Sequence, residues 1–300
     1  MSNVSNHISI MRWRSYSSAF SRRVFFDILK YGDFSHLNWL YCKYDKESSR
    51  PFNTYLEYIK YLYSSISKSY KCEYVFKNEI INQILLKKYG RETTIAFNEF
   101  RVGNSIVDFA IMNGESIAFE IKTDFDSPRR LQKQMDDYKR VFNKSYIVVT
   151  SENRTFYENR VEAEIGIIEL VIKNGRLALN PYREAQGRNS IDVSIMMKCL
   201  RTCEYENIIK SYFGYLPKAE PHQMYETCAK RIAEIPFNAL NKLFLREIKK
   251  RKSITNSLGT IPKELRQIYL SMNLSDKDQT LLMNNLNEPL NIQNICISHI

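Results

Sequence analysis

Three residues in the middle of this chain, Asp108, Glu120 and Lys122, are spaced so that their side chains share one surface. Asp108 sits in SIVDFAI (105–111), and Glu120 and Lys122 sit in SIAFEIKT (116–123), two runs with the alternating apolar pattern of strands. Alternate residues of a strand point to opposite faces. One face of the first run therefore reads Ile106, Asp108, Ala110, and one face of the second reads Ala118, Glu120, Lys122. The reverse faces, Val107-Phe109-Ile111 and Ile117-Phe119-Ile121, are wholly apolar and should pack under helices. The small alanines are expected to leave open space beside the carboxylates.

Asn113-Gly114 marks a tight turn between the two strands. A two-residue loop would set Asp108 against Phe119. A three-residue loop, Asn113 to Glu115, sets Asp108 against Glu120 and Ala110 against Ala118. A slip of one residue flips every side chain, so the three-residue or bulged turn is expected. Two facing carboxylates repel unless something compensates. A divalent cation with oxygen ligands does so, and Mg²⁺ suits one or two carboxylates plus phosphate and water. Lys122 on the same face would orient or help deprotonate a water and offset phosphate charge. The metal would polarise the phosphoryl oxygen and lower the pKa of its bound water. That chemistry is in-line hydrolysis of a phosphodiester.

Asp108, eleven intervening residues and Glu-Ile-Lys (120–122) resemble the PD-(D/E)XK signature of the restriction-endonuclease-like fold, with Val107 where the signature has proline. Gln134-Met-Asp-Asp-Tyr138 fits the QxxxY motif of the RecB-like exonuclease branch. The stretch EIKTDFDSPRRLQKQMDDYKRVF is also similar to a poorly characterised bacterial PD-(D/E)XK family. The resemblance covers roughly residues 75 to 175. It implies an α/β fold, a restriction-endonuclease-like mixed sheet with helices on both faces. It further implies Asp108 and Glu120 as metal ligands, the Ile121 carbonyl as a further ligand, Lys122 as the catalytic lysine, and Mg²⁺, with Mn²⁺ as its substitute, as the cofactor. Glu79, on the preceding helix, matches the position of an additional acid.

The helix after these strands carries the second group of candidates. Ser127 suits an N-cap and Pro128 the first helical position. Leu131, Met135, Tyr138 and Phe142 form an apolar stripe with Gln134 at its border. A glutamine there needs hydrogen-bond partners. The metal site or a DNA backbone would supply them, with Tyr138 clamping the same strand; a core amide beside a core aromatic is the other reading. Arg129 and Arg130, in the first turn, oppose the helix dipole and hint at a phosphate or an acidic partner. Arg101 and Asn104 precede Asp108 and are placed to reach a bound backbone. Asp124 and Asp126 suit either a second cation or turn and N-terminal charge roles.

Around this core the chain divides by texture. Residues 1–74 read as a helical N-terminal region, 75–180 as the nuclease core and 181–300 as a helical C-terminal region. KNEIINQILLKKYG (77–90) is an amphipathic helix closed by glycine, and Asn174-Gly175 turns a final hairpin. The basic stretch Arg246 to Lys252 either contacts phosphates or faces water at a helix C-terminus.

The 44 basic and 33 acidic residues give a formal charge of +11 and a pI near 9.2. Such an excess favours a polyanionic partner, DNA first and RNA second. Twenty Tyr and 16 Phe offer stacking surfaces for unpaired bases. No apolar run reaches the roughly 18–20 residues that span a bilayer. Arg12 and Arg14 stand where a signal peptide would be apolar. A cytosolic protein with free thiols at Cys42, Cys72, Cys199, Cys203, Cys228 and Cys296 is expected. His7, His36, His222 and His299 are dispersed and show no metal pairing, and no P-loop or dinucleotide glycine pattern appears.

The expectation is a divalent-metal-dependent nuclease acting on DNA, with the QxxxY motif tilting it toward ends or single strands. A setting in bacterial defence rests on analogy alone. The rival readings are a non-catalytic nucleic-acid-binding protein on the same fold, and a docking protein whose helical flanks hold a partner or a second copy.

Overall fold

The computed structural model describes residues 2–47, 50–90 and 93–290. The chain packs into two units, Met1–Asn82 with Ser257–Ile300, and Gln83–Asn256. The sequence divides by texture near residues 74 and 180; in space residues 181–256 join the sheet, and later residues return to the N-terminal helices.

The first unit is helical: α1 Ser2–Ser18, α2 Arg22–Tyr31, α3 Ser35–Tyr44, α4 Tyr55–Ser69 and α5 Glu73–Glu79, with Arg266–Met272 and Asp276–Leu286 from the later segment. Local chemistry sets the ends of these helices. Ser21 caps α2 and Thr54 caps α4 through their side-chain oxygens. Gly32, at φ +61°, closes α2 by donating its N–H to the Ile28 carbonyl, with Asp33 reaching Asp27. Phe25, Ile28, Leu37, Leu40, Ile59, Leu62 and Ile66 fill the interior. Asp45, 1% exposed, accepts from Arg12, Tyr16, Tyr58 and Tyr61 at 2.6–3.1 Å. Four donors replace the water that this carboxylate lost. The later segment is tied in by Asn285, which donates to the Ile28 carbonyl, and by a bridge between Thr54 and Pro289.

Beyond α5 the chain continues as a π-type helix, Ile80–Tyr89, and Gly90 (φ +71°) ends it as the sequence suggests. In the second unit the Gln83 amide pairs with Leu177 O and Leu179 N, and Tyr89 O accepts from Thr94 and Asn113. These bonds dock the helix on the sheet.

That sheet has six strands in chain order: β1 Ile95–Val102, β2 Ser105–Asn113, β3 Glu115–Lys122, β4 Lys144–Thr150, β5 Gly166–Lys173 and β6 Arg176–Arg183. The β3–β4 and β4–β5 pairs are parallel and the rest antiparallel, so the sheet is mixed. Parallel neighbours require crossovers. α6, Leu131–Lys139, makes the first and the short α7, Arg154–Glu158, the second. Ser127 and Pro128 open the turn that leads into α6, as their residue types predict. Asn174 (φ +51°) and Gly175 (φ +71°) form the two-residue loop of the last hairpin.

α8 Val193–Cys199, α9 Thr202–Phe213, α10 Met224–Ala233 and α11 Phe237–Lys249 complete the unit. With α6 they bury one sheet face: Ala110, Met112, Ala118, Ile147, Val149 and Ile167 lie in one cluster with Met135, Tyr138, Met196, Ile208 and Phe244. On the other face Phe109, Ile111, Phe119, Ile121 and Val148 are buried as well. The mixed α/β class expected from the sequence is the class observed. Ala110 and Ala118 are 0% exposed, so the space they were expected to leave is filled by helices. Among the described residues no helix is long and apolar enough to cross a membrane. The five described cysteines are free thiols, and Cys296 lies outside the described residues.

Candidate functional site

The turn between β2 and β3 sets the register. Asn113 pairs with Glu115 around Gly114 (φ +67°), Ala110 with Ala118 and Phe109 with Phe119. This is the three-residue register that brings Asp108 to the level of Glu120.

The β1–β2 hairpin changes face at this level. Glu99 holds φ +64°, a left-handed conformation that costs a residue with a Cβ about 1–2 kcal/mol. The pairs on either side, Asn98 with Phe109 and Phe100 with Val107, keep register, so no residue is gained or lost. Both strands turn over at Glu99 and Asp108. Beyond them Phe100, Val102 and Val107 join the same cluster as Ile95, Ala110 and Met112, while Ile106 is 45% exposed. The expected face Ile106-Asp108-Ala110 is therefore broken, because a left-handed residue rotates the strand about its axis. On the other side of β2 the backbone pairing with β3 stops at Phe109–Phe119, and Asp108 Oδ2 accepts the Ile121 N–H at 2.7 Å. A side chain thus takes over where the ladder ends, and the half-buried Asp108 carboxylate stands between β2 and β3.

Glu120 is 1% exposed and both its oxygens accept hydrogen bonds. Lys122 Nζ donates to Oε1 at 2.7 Å and the Tyr138 hydroxyl to Oε2 at 2.6 Å. Lys122 Nζ also donates to Gln134 Oε1 at 3.1 Å, and Tyr138 OH lies 2.8 Å from the Ile106 carbonyl. Burial raises the Glu120 carboxyl above its usual range; the Lys122 charge and bonds from Lys122, Tyr138 and Gln134 offset part of that rise. Burial, then the nearby Glu120 charge, lifts the Tyr138 phenol well above its ordinary value, so it stays a donor. Lys122 was expected in a solvent-filled pocket and is 7% exposed. α6 lies over it, bringing Gln134 from above.

Two anchors hold α6 there, and neither was singled out from the sequence. Asp137, 8% exposed, accepts from the Ser105 hydroxyl at 2.6 Å. Asn143 Oδ1 accepts from the Ser116 N–H (2.8 Å) and hydroxyl (2.9 Å), and the Asn143 N–H donates back to Ser116 Oγ. The helix is pinned to β2 in its last turn and to β3 just past its end, which fixes Gln134 and Tyr138 over β3. An Asp-Asp pair in a polar helix gives no hint that Asp137 is buried and Asp136 exposed.

The structure places the remaining candidates as follows. Tyr138, expected to clamp a strand, is 0% exposed and instead holds Glu120. Gln134 is half-buried against Lys122. Arg101, Asn104, Arg129 and Arg130 are exposed. Asp126 Oδ2 accepts from the Thr123 N–H and hydroxyl, both at 2.7 Å, and Asp124 Oδ1 accepts from Thr150 and Asn153. These are turn and bracing roles. Glu79 belongs to the first unit, where its Oε1 accepts from Tyr63 at 2.8 Å. In the stretch 246–252, Glu247 is 1% exposed and accepts from Lys250, while Arg251 pairs with Glu204 at 2.6 Å.

Asp108, Glu120 and the Ile121 carbonyl are hard oxygen donors on adjoining strands, a set suited to Mg²⁺. Among the described residues no group of three Asp, Glu, His or Cys side chains converges. The protein would thus offer two carboxylates and a carbonyl, leaving other positions to water and substrate oxygens. Glu120 is held ready for this by Lys122 and Tyr138, the first of which would have to let go of one oxygen.

The family model for bacteriophage P4 protein cII matches residues 67–268, which include every residue of this site. Protein cII of Enterobacteria phage P4 is 27% identical over 176 residues, 58% of this chain and 65% of that protein. The chain thus spans just under two thirds of that relative's length. A solved structure, the SPO1766 protein of unknown function from Silicibacter pomeroyi, overlaps 40% of this chain and 80% of its own at 15% identity, with a TM-score of 0.27. With the match covering more than half of its length, the chain belongs to the bacteriophage P4 protein cII family.

Proposed function

We propose that this protein is a divalent-metal-dependent nuclease of the PD-(D/E)XK type that hydrolyses phosphodiester bonds in DNA. The observation that carries this reading is the Lys122 ammonium 2.7 Å from Glu120, beside Asp108 on the Ile121 amide and beneath Gln134 and Tyr138. Buried acids and a lysine in one cleft are what phosphoryl chemistry needs and what packing alone would avoid.

Asp108, Glu120 and the Ile121 carbonyl would hold Mg²⁺ or Mn²⁺. When bound, the ion polarises the phosphoryl oxygen and lowers the pKa of its water. Asp108 is aimed by the Ile121 N–H, and Glu120 by Tyr138. Gln134 steers Lys122, whose ammonium would orient the attacking water and offset charge building on the phosphate. The +11 formal charge favours a polyanionic substrate.

One observation favours a second reading. Both Glu120 oxygens accept internal hydrogen bonds, a closed arrangement that also suits a non-catalytic nucleic-acid-binding protein. Cleavage of linear duplex, circular duplex and single-stranded DNA, and of RNA, with Mg²⁺ or Mn²⁺ decides between them. Asp108→Asn is the control, since it keeps an oxygen for the Ile121 N–H and removes the charge. Losing several kcal/mol of charge stabilisation should slow the reaction at least roughly a hundredfold. Binding without cleavage by the wild type under every metal would overturn the nuclease reading.

A further inference from the structure

Phe125 is 64% exposed, three residues beyond Lys122. Single exposed aromatics are ordinary, and what distinguishes this one is the rigidity of its loop. Asp126 bonds back to Thr123 through its carboxylate, and its N–H donates to the Thr123 carbonyl at 3.3 Å. The Phe125 N–H donates to the Thr123 hydroxyl, and Tyr157 OH donates to the Asp126 carbonyl. Asp124 is tied to Thr150 and Asn153. Both neighbouring carboxylates are thus bonded back into the protein, and the phenyl ring between them is presented to solvent from a braced turn. Holding a large apolar side chain in water this way is unfavourable unless a partner covers it.

The surroundings say which partner. The Phe125 Cα lies within about 11 Å of that of Lys122, the reach of three peptide units. Exposed Arg129 and Arg130 follow within five residues, at a helix start where their charge is disfavoured without an anion. Asp124 and Asp126 flank the ring and repel phosphate, so the ring's contact is a base, not the backbone. On the other side of the site Ile106 is 45% exposed next to Asp108, a second apolar surface at the same level. A base inside a duplex offers its edges but not its face; an unpaired base offers its face to an aromatic ring.

We infer that Phe125 is a stacking platform for an unpaired base, and that the strand entering the site is single-stranded DNA. This deepens the nuclease reading and rests on it for the position of the scissile phosphate. The phosphates beyond the stacked nucleotide run toward Arg129 and Arg130.

The test measures binding by fluorescence anisotropy, with Mg²⁺ present and in the Asp108→Asn background so that DNA stays intact. The probes are a labelled single strand and a blunt hairpin duplex of matched length. Phe125→Ala should weaken single-strand binding about tenfold, the size of one lost base stack, and leave hairpin binding unchanged. Phe125→Trp should restore the single-strand affinity. Unchanged single-strand affinity in Phe125→Ala, or equal losses on both probes, overturns the inference. Cleavage by the otherwise native protein is scored separately. Phe125-dependent single-strand binding without cleavage sinks the nuclease reading alone, and cleavage with Phe125-independent binding sinks the stacking inference alone.

Discussion

Glu99 faces Asp108 across the β1–β2 hairpin, and both strands turn over at this pair without losing register. The left-handed backbone at Glu99 is what frees Asp108 from the ladder for the Ile121 N–H. A glycine adopts that conformation freely. Glu99→Gly removes about 1–2 kcal/mol of strain and adds about 0.5–1 kcal/mol of chain entropy, so stability should shift by less than about 1 kcal/mol. Glu99→Val sets a β-branched residue where it is a steric outlier and should lose more than the glutamate's own 1–2 kcal/mol or so. Urea midpoints of the two variants check the contrast, and a valine variant as stable as wild type would refute it.

Lys122 and Glu120 form a buried pair, so their substitutions should not add. Lys122→Met alone strands a carboxylate that is 1% exposed, at a cost of about 3–5 kcal/mol. Glu120→Leu with Lys122→Met removes both charges and should lose less than either single change. Denaturant unfolding of all four proteins tests this.

The same pair has a pH signature. The Glu120 carboxyl is raised above its ordinary value of 4.5 by burial. Its favourable contribution is therefore complete below that value and is lost as pH rises through the raised one. In Lys122→Met, which removes the compensating charge, the stability deficit should shrink on acidification toward pH 4.5. A deficit that is flat or grows with acid would contradict the assignment.

Glu204 behaves oppositely. Burial alone would raise its carboxyl, but hydrogen bonds from Arg251 and the Arg201 N–H outweigh it and leave it below 4.5. The stability it supplies is present above 4.5 and fades as pH falls through the lowered value. Glu204→Gln should be less stable at neutral pH by on the order of 1–3 kcal/mol, and the gap should close in acid. Thermal melts across the acid range measure it.

Gly103 (φ +57°) tests the anchoring of α6. A Cβ there would lie 3.2 Å from Asp137 Oδ1, the carboxylate that holds Ser105. Gly114 has φ +67° and nothing within 4 Å of the same added atom. Both alanine substitutions carry about 1–2 kcal/mol of left-handed strain, and Gly103→Ala should cost more by displacing Asp137. Its effect on cleavage should exceed that of Gly114→Ala, since Gln134 and Tyr138 ride on the displaced helix.

Much of this site was legible in the sequence because period-two patterning over-determines a hairpin. Only one register buries Phe109 with Phe119 and Ala110 with Ala118, and Asn113-Gly114 permits it. Ser127-Pro128 and Asn174-Gly175 were equally readable, each a local chemical preference. Glu99 was not, since glutamate carries no signal for a positive φ, and with it went the faces of Ile106 and Val107. Burial of Lys122 was hidden too. It depends on α6 being fastened by Ser105–Asp137 and Ser116–Asn143, pairs about 30 residues apart that no periodicity links.

The first unit is assembled from two stretches separated by the whole of the second. Asn285 reaches the Ile28 carbonyl and Pro289 bridges Thr54, so neither contact exists until synthesis has passed residue 289. The sheet unit is one continuous segment and can close on itself while the chain is still growing. Emergence from the ribosome therefore imposes an order, sheet before N-terminal helices. A chain arrested near residue 256 would carry the candidate site on a finished sheet, trailing a helical unit that still lacks its other half.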